Sequence, residues 1–309
     1  MIKLINKNNL RELHARFPES LFSVDDHETY VNSLIKGLSI TSDKDVVIAG
    51  LCKDIANTLT QVMARLYKTA SLFSSYKIAI CENDSTDGTS DILKEYASAD
   101  KNIILTQEDI GHTGFSSKDK SLERASWLSY LRNLQFNDIK KIEDNIDYII
   151  FIDLDLDGGW SYDGILNTFA YPLNEWDVMT ANGIYFRSVT LTTKDRQGSV
   201  LNIEKDNEQL FYDTWAYRKF GVEELANSDE ANLLSFERGK KPFEVFSNFN
   251  GLGVYKYEAV KDFEFGAEEH EDGSVSCDWP YLHRRMRRFG KKIFLNPSLI
   301  TLYSPHEFS

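Results

Sequence analysis

The sequence predicts an α/β fold in which a mostly parallel central sheet is flanked by helices. Three observations carry that expectation. Apolar β-branched runs alternate with amphipathic helical stretches in the first half of the chain. The most apolar run, Tyr148-Ile-Ile-Phe-Ile152, ends in three carboxylates at alternate positions, Asp153, Asp155 and Asp157. A second acidic turn, Glu82 to Asp87, follows another apolar run, and ligands of parallel sheets bind beyond the carboxyl ends of the strands.

The elements follow in order. The first 44 residues read as a helical lead-in with polar turns. Asp45 to Gly50 is a first buried strand, and Ile55, Leu59, Val62, Met63 and Leu66 mark one face of a helix. Tyr76 to Cys81 is a second strand. The turn Asp87-Gly-Thr comes next, with Thr89 as the expected cap of a helix reaching about Tyr96. Asn102 to Leu105 is a short third strand, Ser121 to Leu134 a helix, and Tyr148 to Asp155 the fourth strand. Beyond these the pattern loosens. Asp177 to Thr180 and Val245 to Asn248 read as strands, and residues 183–244 between them as loops with short helices. Trp279 to Phe289 is helical, Gly290 its stop, and Ile293 to Pro297 a last short strand.

At 309 residues the chain has room for one large α/β domain or two small ones. With 42% hydrophobic and 27% charged residues, a sizeable core is expected. No apolar run reaches the ~18 to 20 residues that span a bilayer, and the start, Met1-Ile-Lys-Leu-Ile-Asn-Lys7, is too polar for a secretory signal. A cytoplasmic protein is expected, with Cys52, Cys81 and Cys277 as reduced thiols. The net charge of −13 argues against a nucleic-acid surface, which needs a basic footprint. Phosphates must then be met by local cations or a metal. Residues 261–278 hold seven acids and Arg284 to Lys292 six basic residues, a pattern of mutual salt bridging and solvated faces.

The acidic strand end is the candidate centre. Residues i and i+2 of a strand share a face, so Asp153, Asp155 and Asp157 project together. Close like charges need a counter-charge, and hard oxygen ligands suit Mg²⁺ or Mn²⁺. The plain alternative is the solvated end of an edge strand. Arg124 and Arg132, eight residues apart, share a helix face, and their guanidinium forks match phosphate or carboxylate oxygens. Glu82, Asn83, Asp84 and Asp87 stand beside them as nucleoside-side candidates, with turn capping as the alternative. Asp278 is either an acceptor-side carboxylate or the N-cap before Trp279-Pro280. Trp215 and Tyr217, with Trp160 and Trp279, are either sugar-stacking walls or core residues. His283 reads as a packed histidine and His112 as a loop residue.

Taken together, Glu82-Asn-Asp-Ser-Thr-Asp-Gly-Thr89 resembles the acidic turn of GT-A glycosyltransferases, and Asp153-Leu-Asp155 resembles their Asp-x-Asp motif. More narrowly, the chain is similar to the fungal capsule-associated α-mannosyltransferases. The matching pieces are Arg124 with Leu131-Arg-Asn133, Phe151 to Asp155, Tyr212-Asp-Thr-Trp-Ala-Tyr-Arg218, Asn250-Gly-Leu252, and Cys277-Asp278 with Leu282 and His283. The resemblance implies a GT-A domain over 45–309, with a nucleotide-sugar-binding half at 45–160 and a loop-rich acceptor-binding half at 161–309. It implies a divalent metal on Asp155, shared with Asp153 and with His306 near the C-terminus. Glu82, Asn83, Asp84, Asp87, Arg124, Arg132 and Asp153 would meet the donor. Asp278 and Asp155 would be catalytic, and Trp215, Trp279 and Asp278 would meet the acceptor. The donor would be GDP-mannose or a UDP-sugar. The acceptor would be a glycan or lipid-linked glycan of surface polysaccharide synthesis, the transfer would retain configuration, and the chain, with no transmembrane segment expected, could associate peripherally with a membrane. Two departures stand out. The family's Cys-Glu-His is Cys277-Asp-Trp279 here, and the fungal members' membrane anchor has no counterpart. The rivals are a sugar nucleotidyltransferase, disfavoured because Gly50-Leu-Cys-Lys53 offers one glycine and one lysine for a triphosphate, and a non-catalytic carbohydrate-binding module.

Overall fold

Four parallel strands with helices packed on both faces build the first half of the molecule. The structure is a computed structural model, and it describes residues 15–111, 115, 119–156, 158–194, 200–223 and 231–303. Strands β1 (Asp45–Cys52), β2 (Ser75–Asn83), β3 (Ile103–Glu108) and β4 (Tyr148–Ile152) lie in the order β3-β2-β1-β4 and pair in parallel. Each crossover carries a helix, as parallel pairing demands. α1 (His27–Thr41) precedes β1, while α2 (Leu59–Ala70), α3 (Thr89–Ala99) and α4 (Leu122–Ile139) follow β1, β2 and β3. All five residues of β4 are buried, which is why that run is apolar throughout rather than alternating. Alternate residues divide between two cores. Val46, Ile48, Ile150 and Ile152 pack on one side with Leu59, Val62, Met63 and Leu66 of α2. Val47, Ala49, Ile149 and Phe151 pack on the other with Ala125 and Phe136 of α4.

The helix starts follow their sequence signals in part. The Ser121 hydroxyl accepts from the Arg124 amide at 3.2 Å and caps α4. At α3, however, the N-cap is Gly88 in the left-handed region (φ 95°). Thr89, expected as the cap, is the first helical residue, and Asp87 supplies the carboxylate, accepting from the Thr89 amide at 3.0 Å and the Thr89 hydroxyl at 2.6 Å.

The second half extends this sheet with strands of both directions. β10 (Leu252–Lys256), not foreseen from the sequence, runs antiparallel between β4 and β6 (Val178–Lys194). β13 (Ile293–Leu302) lies parallel to β6, and β9 (Phe243–Ser247) antiparallel to β13. The two-residue β8 (Arg218–Lys219) ends the sheet beyond β9. Along the path β3-β2-β1-β4-β10-β6-β13-β9-β8, only β10 and β9 run against the rest, so the sheet is mostly parallel. β5 (Gly159–Trp160) pairs with β13, and β7 (Val200–Phe211) folds back on β6 as a long hairpin. That hairpin corrects the reading of residues 183–244 as loops with short helices. At its base Ile184, Leu210 and Phe211 are buried in the core, and beyond Ile184 the two strands pair with each other.

α5 (Tyr162–Ala170) packs on β13 and α1, and the single turn α6 (Tyr257–Val260) follows β10. A small separate ribbon, β11 (Glu268–Glu269) with β12 (Val275–Ser276), leads into α7 (Asp278–Arg288). Cys277 occupies the N-cap of α7, and Asp278 is its first helical residue, which corrects the reading of Asp278 as N-cap. Gly290 ends the helix as expected, at φ 74°, with its amide on the Arg287 carbonyl and the Lys291 amide on the Met286 carbonyl.

Candidate active site

The end of β4 opens into a cavity of about 600 Å³, walled by the ends of β1 and β2, by α4, by the Tyr212–Trp215 segment and by the start of α7. This is the crevice outside the strand carboxyl ends where open α/β sheets bind ligands. A second cavity, about 440 Å³, lies at the amino ends of β1 and β2 beside Asp45, Lys77 and Asp144, and no residue predicted for the site lines it.

Asp153 and Asp155 both line the large cavity, while Leu154 and Leu156 between and after them are buried. The i, i+2 spacing therefore brings two acids to one surface even though β4 itself ends at Ile152. The Asp153 amide is anchored on the Gly251 carbonyl at 2.9 Å. Asn250 and Gly251 both adopt left-handed backbone (φ 56° and 79°), and a β-carbon at Gly251 would fall 2.3 Å from the Tyr303 hydroxyl oxygen. Glycine is thus required for the turn to lie beneath Asp153.

Arg132 is the buried centre. Its Nη2 meets Asp153 Oδ1 at 2.9 Å, its Nε meets Asp278 Oδ2 at 3.0 Å, and the guanidinium packs against the Trp279 ring at 4.6 Å and the Phe249 ring at 5.3 Å. Nη1 finds no partner among the described residues. Burial opposes the arginine's charge, but the two carboxylates more than offset it and raise its pKa. On Asp153 the balance falls the other way. Burial above all, with the charges of Asp155 and Asp213, pushes its carboxyl up to about 7 against the pull of Arg132.

Asp213 is a site residue that the sequence reading quoted inside a motif without giving it a role. It lines the cavity, and its carboxylate accepts from the Ala216 amide at 3.1 Å and the Asn250 amide at 3.3 Å. Its own amide donates to Asn250 Oδ1 at 2.9 Å. Burial raises its pKa. The signal available was the pair of strings Tyr212-Asp-Thr-Trp and Asn250-Gly-Leu, whose contact spans 37 positions of sequence.

The other predicted residues divide. Asn83 lines the cavity. Glu82, Asp84 and Asp87 do not; their oxygens hold the turn after β2. Glu82 accepts from the Ser85 amide at 2.9 Å and the Gln107 side chain at 3.1 Å. Asp84 accepts from the Gly111 amide at 2.8 Å and Asn83 Nδ2 at 3.0 Å, and Asp87 also takes the Ala56 amide at 2.8 Å. Arg124 reaches the cavity wall with its guanidinium 5.2 Å from the Trp215 ring centre and Nη1 on the Asp119 carbonyl at 2.6 Å. Trp215 is half-buried, its indole N–H on the Val275 carbonyl at 2.9 Å. Trp279 is only 3% exposed and stacks on Phe249 at 3.8 Å, so it supports Arg132 instead of offering a free face to a sugar. Trp160 and Tyr217 are core residues, buried beside neighbouring side chains. His283 is packed as expected, between the Ser247 hydroxyl at 3.0 Å and the Tyr255 hydroxyl at 2.8 Å, and burial drives its pKa down to about 3. Asp157, His112 and His306 lie outside the described residues.

Comparison with known proteins bears on this geometry. A family described as Cryptococcal mannosyltransferase 1 matches residues 45–280, which include Arg132, Asp153, Asp155, Asp213 and Asp278. The chain belongs to this family. It is therefore a member of a glycosyltransferase family. No curated protein matches the sequence. Solved structures similar in overall shape include a mannosyltransferase from Pyrobaculum calidifontis, in complex with GDP-Man and Mn²⁺ (12% identity, TM-score 0.43, 90% of this chain and 67% of that one). GalNAc-T7 with UDP, GalNAc and Mn²⁺ is another (9%, 0.41, 84% of this chain and 43% of that one). So is a 4-diphosphocytidyl-2C-methyl-D-erythritol synthase from Anaerococcus prevotii (11%, 0.38, 89% and 95%). The chain spans less than half the length of the second, and likenesses at these scores bear on neither site nor activity.

Within the mannosyltransferase family's matched region, the Asp278-Trp279 departure now has a physical setting. Asp278 is 3% exposed and engaged by Arg132, and Trp279 fills the space beneath that guanidinium. Among the described residues no group of three or more His, Cys, Asp or Glu side chains is gathered to hold a metal. None of the described helices is long and apolar enough to cross a membrane.

Proposed function

We propose that this member of the mannosyltransferase family transfers a sugar from a nucleotide-diphosphate sugar, GDP-mannose or a UDP-sugar, to a glycan acceptor, with retention of configuration. One observation carries the reading. Acids from the two halves of the chain, Asp153 and Asp155 from the first and Asp213 and Asp278 from the second, meet in one cavity at the strand ends, where Arg132 ties Asp153 to Asp278.

The donor set suits a divalent cation. Asp155 is exposed to the cavity and raises the pKa of Asp153 beside it, a repulsion that a cation would relieve with the hard oxygen ligands it prefers. Asp155 would hold the ion, with Asp153 beside it and His306 as the proposed third ligand. A bound Mn²⁺ or Mg²⁺ would stabilise the negative charge that builds on the departing diphosphate. The chain's own groups do the rest. Arg124 stands at the wall as the donor-phosphate cation, and Asn83 faces the nucleoside. Arg132 has two nitrogens on carboxylates, which leaves Nη1 for a donor phosphate oxygen. It fixes the acids relative to one another.

Asp278 is buried and salt-bridged, with Oδ2 on Arg132. A general base must be within reach of the proton it takes and free to accept it. A carboxylate held in this way is better suited to orienting an acceptor or to countering positive charge on the sugar ring, which supports retention. The acceptor is proposed to be a glycan, free or lipid-linked, in surface polysaccharide synthesis.

The test is a thermal-shift screen of GDP-, UDP-, CDP- and dTDP-sugars with Mn²⁺, followed by product analysis. A ligand that binds only the native state raises the melting temperature with concentration. The proposal expects one nucleotide sugar to do so in a metal-dependent way and to release a nucleoside diphosphate. Pyrophosphate released from a nucleoside triphosphate and a sugar phosphate would favour the nucleotidyltransferase rival instead.

A further inference from the structure

Three tyrosines line the cavity. Tyr212 follows β7, Tyr303 follows β13, and Tyr185 lies in β6. The rings of Tyr212 and Tyr303 are stacked with centroids 3.3 Å apart and planes 17° apart, and Tyr185 meets Tyr212 edge-on at 5.9 Å. Tyr212 is nevertheless 39% exposed, while Trp279, the aromatic that the sequence favoured, is 3% exposed. An exposed ring is thus held in one orientation at the cavity wall by two others.

The strand order says which part of a substrate would reach it. Asn83 and Lys53 stand at the ends of β2 and β1, on one side of the β4 acids. Tyr185 lies in β6 and Tyr303 directly follows β13, on the other side, beyond β10. At roughly 4.8 Å per strand, β2 and β6 each lie about 10 Å from β4. A donor whose nucleoside lies toward β2 and whose diphosphate is at β4 leaves the β6 side to a second molecule. Asp213, next in sequence to Tyr212, adds a carboxylate acceptor at the same wall. An aromatic face beside a fixed carboxylate matches a pyranose ring, which has apolar C–H faces and hydroxyl donors around its edge. Tyrosine supplies such a surface with few rotatable bonds, and the stack on Tyr303 removes much of their remaining freedom.

We propose that the Tyr212 ring, held by Tyr303 and Tyr185, is the platform on which the acceptor's terminal pyranose stacks. The assignment rests on the glycosyl-transfer reading only for the word acceptor; the contact between a sugar ring and Tyr212 is testable without turnover. The first arm is saturation-transfer NMR with methyl α-D-mannopyranoside and α-linked mannobiose as probes. Transfer from aromatic protons to the sugar C–H protons is expected in the wild type and in Tyr212→Phe, and its loss in Tyr212→Ala. The second arm measures donor hydrolysis and transfer to the same probes. Tyr212→Ala is expected to raise the acceptor KM about tenfold, a larger rise than in the KM for the nucleotide sugar during its hydrolysis by water. If Tyr212→Ala does not fold, Tyr185→Ala, which loosens the platform from its edge, is read instead for the same KM rise. Unchanged saturation transfer and acceptor KM in the alanine variant overturn the platform, as does a wild type that hydrolyses its donor but shows contact with neither probe. Sugar contact at Tyr212 in a protein that hydrolyses no nucleotide sugar would keep the platform and sink the transfer reading.

Discussion

The first four strands and the later strands reach the same cavity by different means. In the β1–β4 half, the turn after β2 draws on contacts close in sequence, Asp87 with Thr89, Glu82 with Ser85 and Asn83 with Asp84, while Arg132 and Asp153 reach across to Asp278 and Gly251. In the second half, site residues are held across long separations. Asp213 is held by Asn250 and Asp278 by Arg132, 37 and 146 positions apart. The two halves share one sheet through the β4–β10 pairing, and at the cavity the acids of the second half are fastened to the first through a few polar contacts. Those contacts should be where the molecule is easiest to break.

Arg132 is expected to show the largest effect. Arg132→Met removes the one cation shared by Asp153 and Asp278 and leaves two carboxylates uncompensated, at a cost of about 3–5 kcal/mol. Denaturant unfolding would measure it, and Arg132→Lys, which keeps charge without the fork, should recover only part. A wild-type midpoint in Arg132→Met would show that the halves are not joined there. Next comes Gly183→Ala. Its β-carbon would fall 2.3 Å from Asn250 Oδ1, the oxygen that holds the Asp213 amide. About 1–3 kcal/mol of destabilisation is expected from overpacking, with a matching loss of activity if Asp213 matters to the site.

His283 gives a pH test inside the second half. Its folded pKa, lowered to about 3 by burial, lies below the ordinary 6.5. Between those values the unfolded chain binds a proton that the folded chain refuses, so stability must fall as pH drops from 6.5 toward 3. The expected slope is about 1.4 kcal/mol per pH unit. Unfolding midpoints of His283→Gln measured across that range should lack this contribution. The smallest effect belongs to the regular half. Asp87→Ala removes the carboxylate that caps α3, costing about 1 kcal/mol, and should leave donor KM unchanged because Asp87 does not line the cavity. A raised donor KM would restore Asp87 to the donor-binding group in which its sequence context placed it.

The same contrast explains what the sequence made legible. Tyr148 to Ile152 is readable as a buried strand because both faces of β4 are covered, and the acids after it are readable because they interrupt that run. The helix over Asp278–Arg288 and its stop at Gly290 follow from local pattern and φ preference. The β6–β7 hairpin was not legible, since its segment is polar and its pairing depends on the partner strand rather than on a core. Asp213 was visible only as part of a motif, because what fixes it is a turn elsewhere in the chain. The burial of Trp279 at the cavity wall was hidden for a related reason. A tryptophan near an acid reads as a sugar wall, and only the packing of Phe249 and Arg132 against it shows that it is covered.

The central claim is that the Asp153–Asp155 end of β4 drives departure of a nucleoside diphosphate from a sugar donor. The most direct measurement is the rate of nucleoside diphosphate release, with Mn²⁺ and the nucleotide sugar selected by the thermal-shift screen, in the wild type and in Asp155→Ala of equal unfolding midpoint. Release by the wild type is expected, with a loss of about a hundredfold or more in the variant, the scale expected when charge stabilisation at a leaving group is removed. Undiminished release in Asp155→Ala, or release that persists in both proteins after chelation of the metal, would contradict it.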